Sequence, residues 1–315
     1  EEYKKRDTYS LKGFFTDEPQ FYRWDTPYTK VLPKYFQETY GEDILDGIGL
    51  LFVEKEGYRA FRYKFWKSMQ ALMLTNFAEK IYTWCDDNGY KLTGHYVEES
   101  NLDGQMWCCA GAMPFYEYEH IPGIDWLGRN VYHELPPKQV SSVAAQLGKK
   151  QVISETYGCC GWDVTPQELK EIAECQYVSG VNLMCQHLLP YTEHGQRKRD
   201  YPAHYSQVNP WVRKNFKEFN DYFSYLGKTI AESKELVNVG VRSGDNVSCN
   251  NLAESGSCCA ACLNCCLNCS NVAANHNGYE SATDLLGTDE LYVCSLNHSI
   301  CSLDSSYETS GLNHS

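Results

Sequence analysis

The chain has 315 residues, enough for one large domain or two ordinary ones with a sizeable core. Its formal net charge of −13 argues against a nucleic-acid partner, because neutralising phosphates requires clustered Lys and Arg. No apolar run approaches the ~18 residues of a membrane span, so no membrane partner is expected. No signal peptide opens the chain, and cytoplasmic, periplasmic and secreted locations all stay open.

Short apolar strands alternate with longer amphipathic helices over residues 1–240. The predicted strands cover residues 13–16, 91–97, 123–128, 151–154 and 181–185, and the predicted helices cover 57–88, 137–147, 165–177 and 209–233. Thr165 predicts an N-cap, followed by Pro166 at the first helical position. Near-continuous apolar strands between helices indicate a parallel sheet covered by helices.

Each predicted strand is followed by polar or aromatic residues that could perform chemistry. They are Asp17 and Glu18; His95, Glu98 and Glu99; Asp125 and Trp126; Glu155 and Tyr157; and His187 and Tyr191. In a (β/α)8 barrel the carboxyl ends of all strands meet on one face, whereas a doubly wound sheet concentrates function at one switch point. The pattern therefore predicts a partial (β/α)8 TIM barrel, strands four to eight. Because the chain begins at Glu1 rather than Met, we expect the first three strands upstream.

Two of these acids, Glu18 and Glu155, would face each other across the mouth of such a barrel. Paired carboxyl groups, one protonated and one ionised, are what glycosidic bond cleavage requires. The aromatic content of 14% suits a carbohydrate-sized cleft. Taken singly, however, Glu18 is more typical of a solvated turn after a strand, and Glu155 of a loop acid or an N-cap partner. Their combination favours a catalytic pair.

The remaining residues after the strands are predicted to bind sugar. This set is Asp17, His95, Glu98, Trp126, Tyr157, His187 and Tyr191. The two histidines could instead be structural groups, and no tight ligand spacing between them favours a metal. Glu98 with Glu99 could clamp substrate or hold calcium, although Glu99 is expected to be a solvated loop acid. Trp126, like Trp162, could stack on a sugar or belong to the core.

Several segments together resemble a group of large bacterial glycoside hydrolases, of the family-2-like and family-106 rhamnosidase-like kind. They are GFFTDEPQF, KLTGHYVEES, IPGIDWLG, VISETYGCCGWDVTPQELK, GVNLMCQHLLPY and RKRDYP, over about residues 1–235. The resemblance implies a clan A barrel with Glu18 as acid/base and Glu155 as nucleophile.

The match departs from the clan A pattern at Asp17, where clan A usually has Asn. Both a retaining and an inverting outcome therefore stay open. The rhamnosidase family is calcium-dependent, so calcium is a possible cofactor, and none other is expected.

Residues 241–315 differ in composition and are predicted to be a low-complexity, disordered tail rather than a domain. They hold nine of the 16 cysteines, eight acids and one arginine, with many Ser and Asn. The spacing Cys259-x2-Cys262-x2-Cys265-x3-Cys269 matches an iron–sulfur site but lacks the following Pro. Four Asn-x-Ser sequons suit a secreted chain. An aberrant end of a gene model is an alternative origin for this segment.

The sequence thus predicts a glycosidase acting on a plant or host polysaccharide or oligosaccharide, with its catalytic domain in residues 1–240. The alternatives are a catalytically inactive carbohydrate-binding barrel fragment and a metal-binding module in the tail. The oligomeric state is not predicted. The seven cysteines before residue 240 are expected to be mostly buried thiols.

Overall fold

The computed structural model describes residues 11–21, 25–129, 131, 135–187 and 210–234, with the backbone of two short strands at 240–242 and 293–295. The elements of the main body are β1 Gly13–Thr16, α1 Leu32–Tyr40, α2 Ile44–Gly47, α3 Tyr58–Met73, α4 Glu79–Asp87, β2 Lys91–Gly94, α5 Leu102–Cys109, β3 Gly123–Trp126, α6 Leu135–Gln146, β4 Ile153–Thr156, α7 Pro166–Val178, β5 Leu183–Gln186 and α8 Pro210–Glu232. Beyond them, β6 (Gly240–Arg242) and β7 (Val293–Ser295) pair antiparallel.

The five main strands are parallel and lie side by side in chain order. β1 pairs with β2, and β3 pairs with β4, which pairs with β5. A parallel bridge between Thr93 and Ile121 connects the two groups. Right-handed connections between parallel strands in this order place the connecting helices on one face of the sheet. The strand order does not reverse at any point, as it does in a doubly wound sheet. The predicted mixed α/β fold with a parallel sheet is confirmed.

The predicted helices are present, and local signals explain where they begin and end. α7 starts with a complete capping box, in which Thr165 and Glu168 satisfy each other's backbone N–H groups. The helix predicted over 57–88 is α3 and α4 with a π-helical turn at Leu74–Ala78 between them. Such a turn inserts one residue without ending the helix, so the helical periodicity persists on both sides of it.

Two buried apolar clusters stabilise the fold. The larger one lies between β3–β5 and their helices and includes Ile124, Phe115 and Leu169. The smaller one, around Phe36 and Phe65, is built by the helices that follow β1. The helices between β1 and β2 therefore form this core together with Met106 and Ala110, which come after β2. No helix was predicted between β1 and α3.

Four of the seven cysteines before residue 240 are buried, which agrees with the expectation for most of them. Cys159 is exposed, and Cys175 and Cys185 are partly buried. Among the helices of the described ranges, none combines the length and apolar character needed to cross a membrane. Apart from Cys294, whose backbone belongs to β7, the tail cysteines and the sequons lie outside the described residues and keep the status of predictions.

Candidate functional site

The strand register brings the polar residues after the strands together at one edge of the sheet. Thr16 is paired with Gly94, so Asp17 and His95 follow side by side. Asp125 is paired directly with Glu155. Thr156 is paired with Gln186 of β5. His187, the residue after Gln186, therefore lies beside the end of β4 that carries Glu155. Four of the predicted site residues thus share one edge.

Side-chain alternation points these residues to the face of the sheet away from the helices. Ile124 and Trp126 are buried in the larger apolar cluster, so Asp125 between them projects the other way. The Thr156 hydroxyl accepts a hydrogen bond from Gln176 on α7, at 2.9 Å, so Glu155 also points away from the helices. The acids of two adjacent strands therefore project into the same space.

His95 lies between two carboxylates at the centre of this edge. Its Nε2 is 2.8 Å from Glu155 Oε2 and 3.5 Å from Asp17 Oδ1. His187 Nε2 lies 3.8 Å from the other Glu155 oxygen. The side chain of His95 is only 2% exposed, that of Glu155 is 17% exposed, and that of Asp17 is 79% exposed. The cluster thus runs from a buried cation to an acid open to solvent.

Both ring nitrogens of His95 face oxygen atoms, which favours the doubly protonated imidazolium. Nδ1 lies 2.9 Å from the Tyr96 carbonyl, which can only accept, and Nε2 faces carboxylate oxygens. Burial alone would lower the pKa of His95, but the hydrogen bonds to Glu155 and Tyr96 and the charges of Asp125 and Glu99 raise it to about 10. Burial would raise the pKa of Glu155, yet the hydrogen bond and charge of His95 hold it below its ordinary value. At neutral pH the pair is an imidazolium and a carboxylate.

A second, fully buried acid supports the end of β3. Glu99 accepts hydrogen bonds from the Asp125 backbone N–H at 2.7 Å and from the Tyr116 hydroxyl at 2.8 Å. Glu99 is 3% exposed, so the expectation of a solvated loop acid is wrong. Its neighbour Glu98 is partly exposed instead. Sequence alone could not assign the two, because the turn after β2 decides which of two adjacent acids points inward.

The buried position of Glu99 has a measurable effect on stability. Burial raises the pKa of Glu99 to about 8, so the folded chain binds a proton that the unfolded chain releases above its ordinary pKa of 4.5. The free energy of unfolding therefore falls as pH rises from about 4.5 to 8, and the Glu99 carboxyl group accounts for a few kcal/mol of this fall in total. Glu99→Gln keeps an acceptor for Asp125 and should flatten this part of the pH dependence. Urea unfolding of both forms at pH 5, 7 and 8.5 measures it, and parallel curves would contradict the prediction.

Residues with positive φ angles follow three of the strands. Glu18 has φ +51°, Glu98 has φ +57° and Tyr157 has φ +80°. Non-glycine residues rarely adopt this region, and such strained positions cluster at functional sites. Glu18 is partly buried, and its charge contributes to raising the pKa of Asp125, which places it near the cluster.

Two predicted sugar-binding residues are in the core instead. Trp126 is 4% exposed, on the helix-covered face of β3, so the reading of Trp126 as core is the one that agrees with the structure. Tyr157 is fully buried, and its hydroxyl lies 3.4 Å from Met184 Sδ. Tyr157 has a positive φ, and its side chain packs in the larger apolar cluster. Tyr191 and the basic run at residues 197–199 lie outside the described residues.

The cluster bears on the question of a calcium ion. Atoms of Asp17, His95 and Glu155 that could bind a metal lie within 4.8 Å of one another. Calcium, however, takes six to eight oxygen ligands, and here an imidazolium already occupies the position between the two carboxylates. Glu99 does not fit either, because its two oxygens accept protein hydrogen bonds. We therefore derive no step through a metal ion.

Comparison with known proteins places this geometry in context. No protein-family model matches the chain. A protein of Formosa agariphila (strain DSM 15362), whose name assigns it as a beta-glucuronidase, is 25% identical over 193 residues, which are 59% of this chain and 16% of that protein. The structure of a rhamnosidase from Novosphingobium sp. PP1Y superposes with a TM-score of 0.52 at 17% identity. That match covers 67% of this chain and 21% of the rhamnosidase.

The described chain is therefore similar in fold to part of the rhamnosidase. It spans a small part of both proteins.

Proposed function

We propose that this chain is part of a glycoside hydrolase, with Glu155 and Glu18 as its reacting carboxyl groups. Two distant similarities support the class, one to a beta-glucuronidase by sequence and one to a rhamnosidase by fold. The observation that carries the proposal is the buried His95 imidazolium, whose Nε2 lies 2.8 Å from Glu155. A buried positive charge keeps that one carboxyl ionised among several others.

The proposed chemistry divides two roles between the carboxyl groups. Glu155, held ionised, attacks the anomeric carbon or deprotonates a water that does so. Glu18, at the end of β1, donates a proton to the leaving oxygen. His95 does not take part in bond making; it stabilises the Glu155 carboxylate. Asp17 and His187 flank the pair and are proposed to contact sugar hydroxyls, as is Glu98.

We further propose that the five parallel strands belong to a (β/α)8 barrel that three more strands complete. The chain covers only 16% and 21% of its two relatives, which leaves ample length for the remainder. The face that carries Glu155 would then be the barrel interior. Phe15 on this face is 38% exposed, and further strands would cover it.

The exposed face also favours a second candidate, a carbohydrate-binding fragment without catalytic activity. An open sheet edge leaves the cluster without the walls that exclude water from a reaction site. In that case the chain would bind sugar through the same residues but not cleave it.

Hydrolysis of aryl glycosides separates the two candidates. The longest polypeptide that the gene encodes should release nitrophenol from a nitrophenyl β-glucuronide or α-rhamnoside. Glu18→Gln should then slow the cleavage of an alkyl glycoside, whose leaving group is poor, by about 100-fold or more. Cleavage of an activated nitrophenyl glycoside should be slowed less, because its leaving group does not need the proton. The exposed Glu79→Gln is the matched control. Undiminished cleavage of the alkyl glycoside by Glu18→Gln would remove that residue from its role, and sugar binding without cleavage would favour the second candidate.

A further inference from the structure

The loop that follows β4 is held by an arginine from the loop that follows β3. Arg129 donates from Nε to the Cys160 carbonyl at 2.5 Å. Its terminal nitrogens form ion pairs with Asp163 and with Glu168, the second of them at 3.1 Å. A planar guanidinium can make all of these bonds at once because its donors form a rigid fork. One side chain therefore fastens the loop to the end of β3 and to the start of α7.

The same loop has a backbone that needs a restraint. Tyr157, Cys159 and Gly161 have left-handed φ angles of +80°, +62° and +85°. Non-glycine residues in this region are unfavourable, and they persist only where the surrounding structure holds them. A Cβ atom at Gly161 would lie 3.2 Å from a terminal nitrogen of Arg129, so the guanidinium packs directly against this glycine. The shape of the loop and the position of Arg129 therefore depend on each other.

The first part of the loop forms a support for His187. The Gly158 carbonyl accepts a hydrogen bond from the Gly128 N–H at 2.7 Å, which fixes Gly158 beside the end of β3. A Cβ atom at Gly158 would lie 3.1 Å from His187 Cγ, so the ring packs against the bare backbone. On its other side, His187 Nε2 lies 3.8 Å from Glu155. His187 is thus held between the loop and the Glu155 carboxylate.

We propose that Arg129 is a positioning residue for His187 and acts through the backbone of Gly158. This assignment rests on the proposed function, in which His187 contacts a sugar hydroxyl beside Glu155. Arg129 holds the loop in its strained shape, and the loop fixes how closely the His187 ring approaches the carboxylate. The polar contacts that the structure describes for Arg129 all go to this loop and to α7. Its effect on a bound sugar therefore passes through His187.

A double-mutant cycle tests whether Arg129 acts through His187. On the nitrophenyl glycoside that the protein cleaves, Arg129→Met should lower kcat/KM by about 10- to 100-fold, because displacing a group that contacts substrate costs up to that factor. His187→Ala should lower it by about 10-fold or more. In the His187→Ala background, Arg129→Met should cost less than about threefold further, because residues that act through one another are not additive. Losses that multiply would overturn the proposal.

Gly158→Ala is a second test that leaves every bond of Arg129 in place, and it applies even if Arg129→Met fails to fold. The φ of Gly158 lies outside the left-handed region, and the added methyl group would meet the His187 ring and the flexible end of Leu127. It should therefore lower kcat/KM in wild type but not in His187→Ala, and an equal loss in both would contradict the proposal. Arg129→Lys keeps the charge without the fork and should restore part of the kcat/KM that Arg129→Met loses. Arg62→Met is the matched control and should leave kcat/KM unchanged, since Arg62 likewise bonds to a carbonyl, at 3.0 Å, and to an acid, at 3.6 Å.

A chemical probe reports the position of His187 without any sugar. Diethyl pyrocarbonate acylates unprotonated imidazole nitrogens, and mass spectrometry gives the labelling rate of each histidine. The side chain of His187 is 15% exposed, and in Arg129→Met it should be labelled faster than in wild type. His120, before β3, is the internal control and should be labelled at the same rate in both proteins. Unchanged labelling of His187 would overturn the Arg129 proposal whether or not the protein cleaves sugar. Faster labelling in a protein that cleaves no glycoside would support the positioning and overturn the hydrolase proposal alone.

Discussion

Replacing Glu155 with Gln should lower kcat/KM by about 1000-fold or more, because the change removes a reacting group. The amide keeps the shape and can still accept the 2.8 Å hydrogen bond from His95, but it can neither attack the anomeric carbon nor deprotonate water. The variant is measured on the best aryl glycoside, with unfolding by urea recorded in parallel. Glu79→Gln, at an exposed helix position, is the control for loss of a carboxylate.

The stability measurement decides whether the activity loss is chemical. Removing the Glu155 charge leaves the buried His95 imidazolium with less compensation, so some destabilisation is expected at neutral pH. A variant that is folded and inactive supports the assigned role. Retention of more than about a tenth of the wild-type kcat/KM by a folded Glu155→Gln would show that another group performs the step, because loss of a reacting group costs orders of magnitude.

The second large effect is expected from His95→Gln, which keeps a donor near Glu155 but removes the positive charge. The hydrogen bond and charge of His95 hold the pKa of Glu155 below its ordinary value. Without that charge the pKa of Glu155 should rise, and the acid limb of the kcat/KM profile should move to higher pH. The activity loss is then greater at pH 5 than at pH 8. If kcat/KM of the variant is lower by the same factor at every pH, His95 has a purely structural role.

The same variant has an expected signature in stability. The pKa of His95 is raised from 6.5 to about 10 in the folded chain, so its contribution is fully present below pH 6.5 and is lost as pH rises to about 10. For a side chain as buried as His95, this amounts to a few kcal/mol. Wild type should therefore lose stability between pH 6.5 and 10, and His95→Gln should lose less. Urea unfolding at pH 6, 8 and 10 provides the comparison. If the free energy of unfolding of the variant falls with pH as steeply as that of wild type, the prediction is wrong.

Much of the secondary structure could be predicted from local signals. Thr165, Pro166 and Glu168 are sufficient to start α7, because a capping box satisfies the first backbone N–H groups within four residues. α1 was missed although its signals are present: Pro33 lies in its first turn, and Gly41 follows its end in the left-handed conformation. The segment between β1 and α3 contains no second strand pattern against which a helix would be expected to pack, so no helix was predicted there.

The candidate site could be predicted only in outline. Acids after apolar strands pointed to Glu18 and Glu155, and the parallel order of the strands follows from their near-continuous apolar character. The expectation that Trp126 binds sugar failed because adjacent residues of a strand point to opposite faces, and a local sequence does not state which face the helices cover. The expectation that Glu99 is solvated failed because the turn after β2 decides which of two adjacent acids points inward.

What the sequence by itself determined is the alternation of helices and strands and the chemical type of residue after each strand, since capping, periodicity and turn residues act over a few positions. What only the tertiary structure decided is the contact between His95 and Glu155, 60 residues apart, and the pairing of Asp125 with Glu155 across β3 and β4. Both depend on strand register, which packing against the helices selects for the whole sheet at once. The identity of the site acids is thus local information, and their protonation and partners are not.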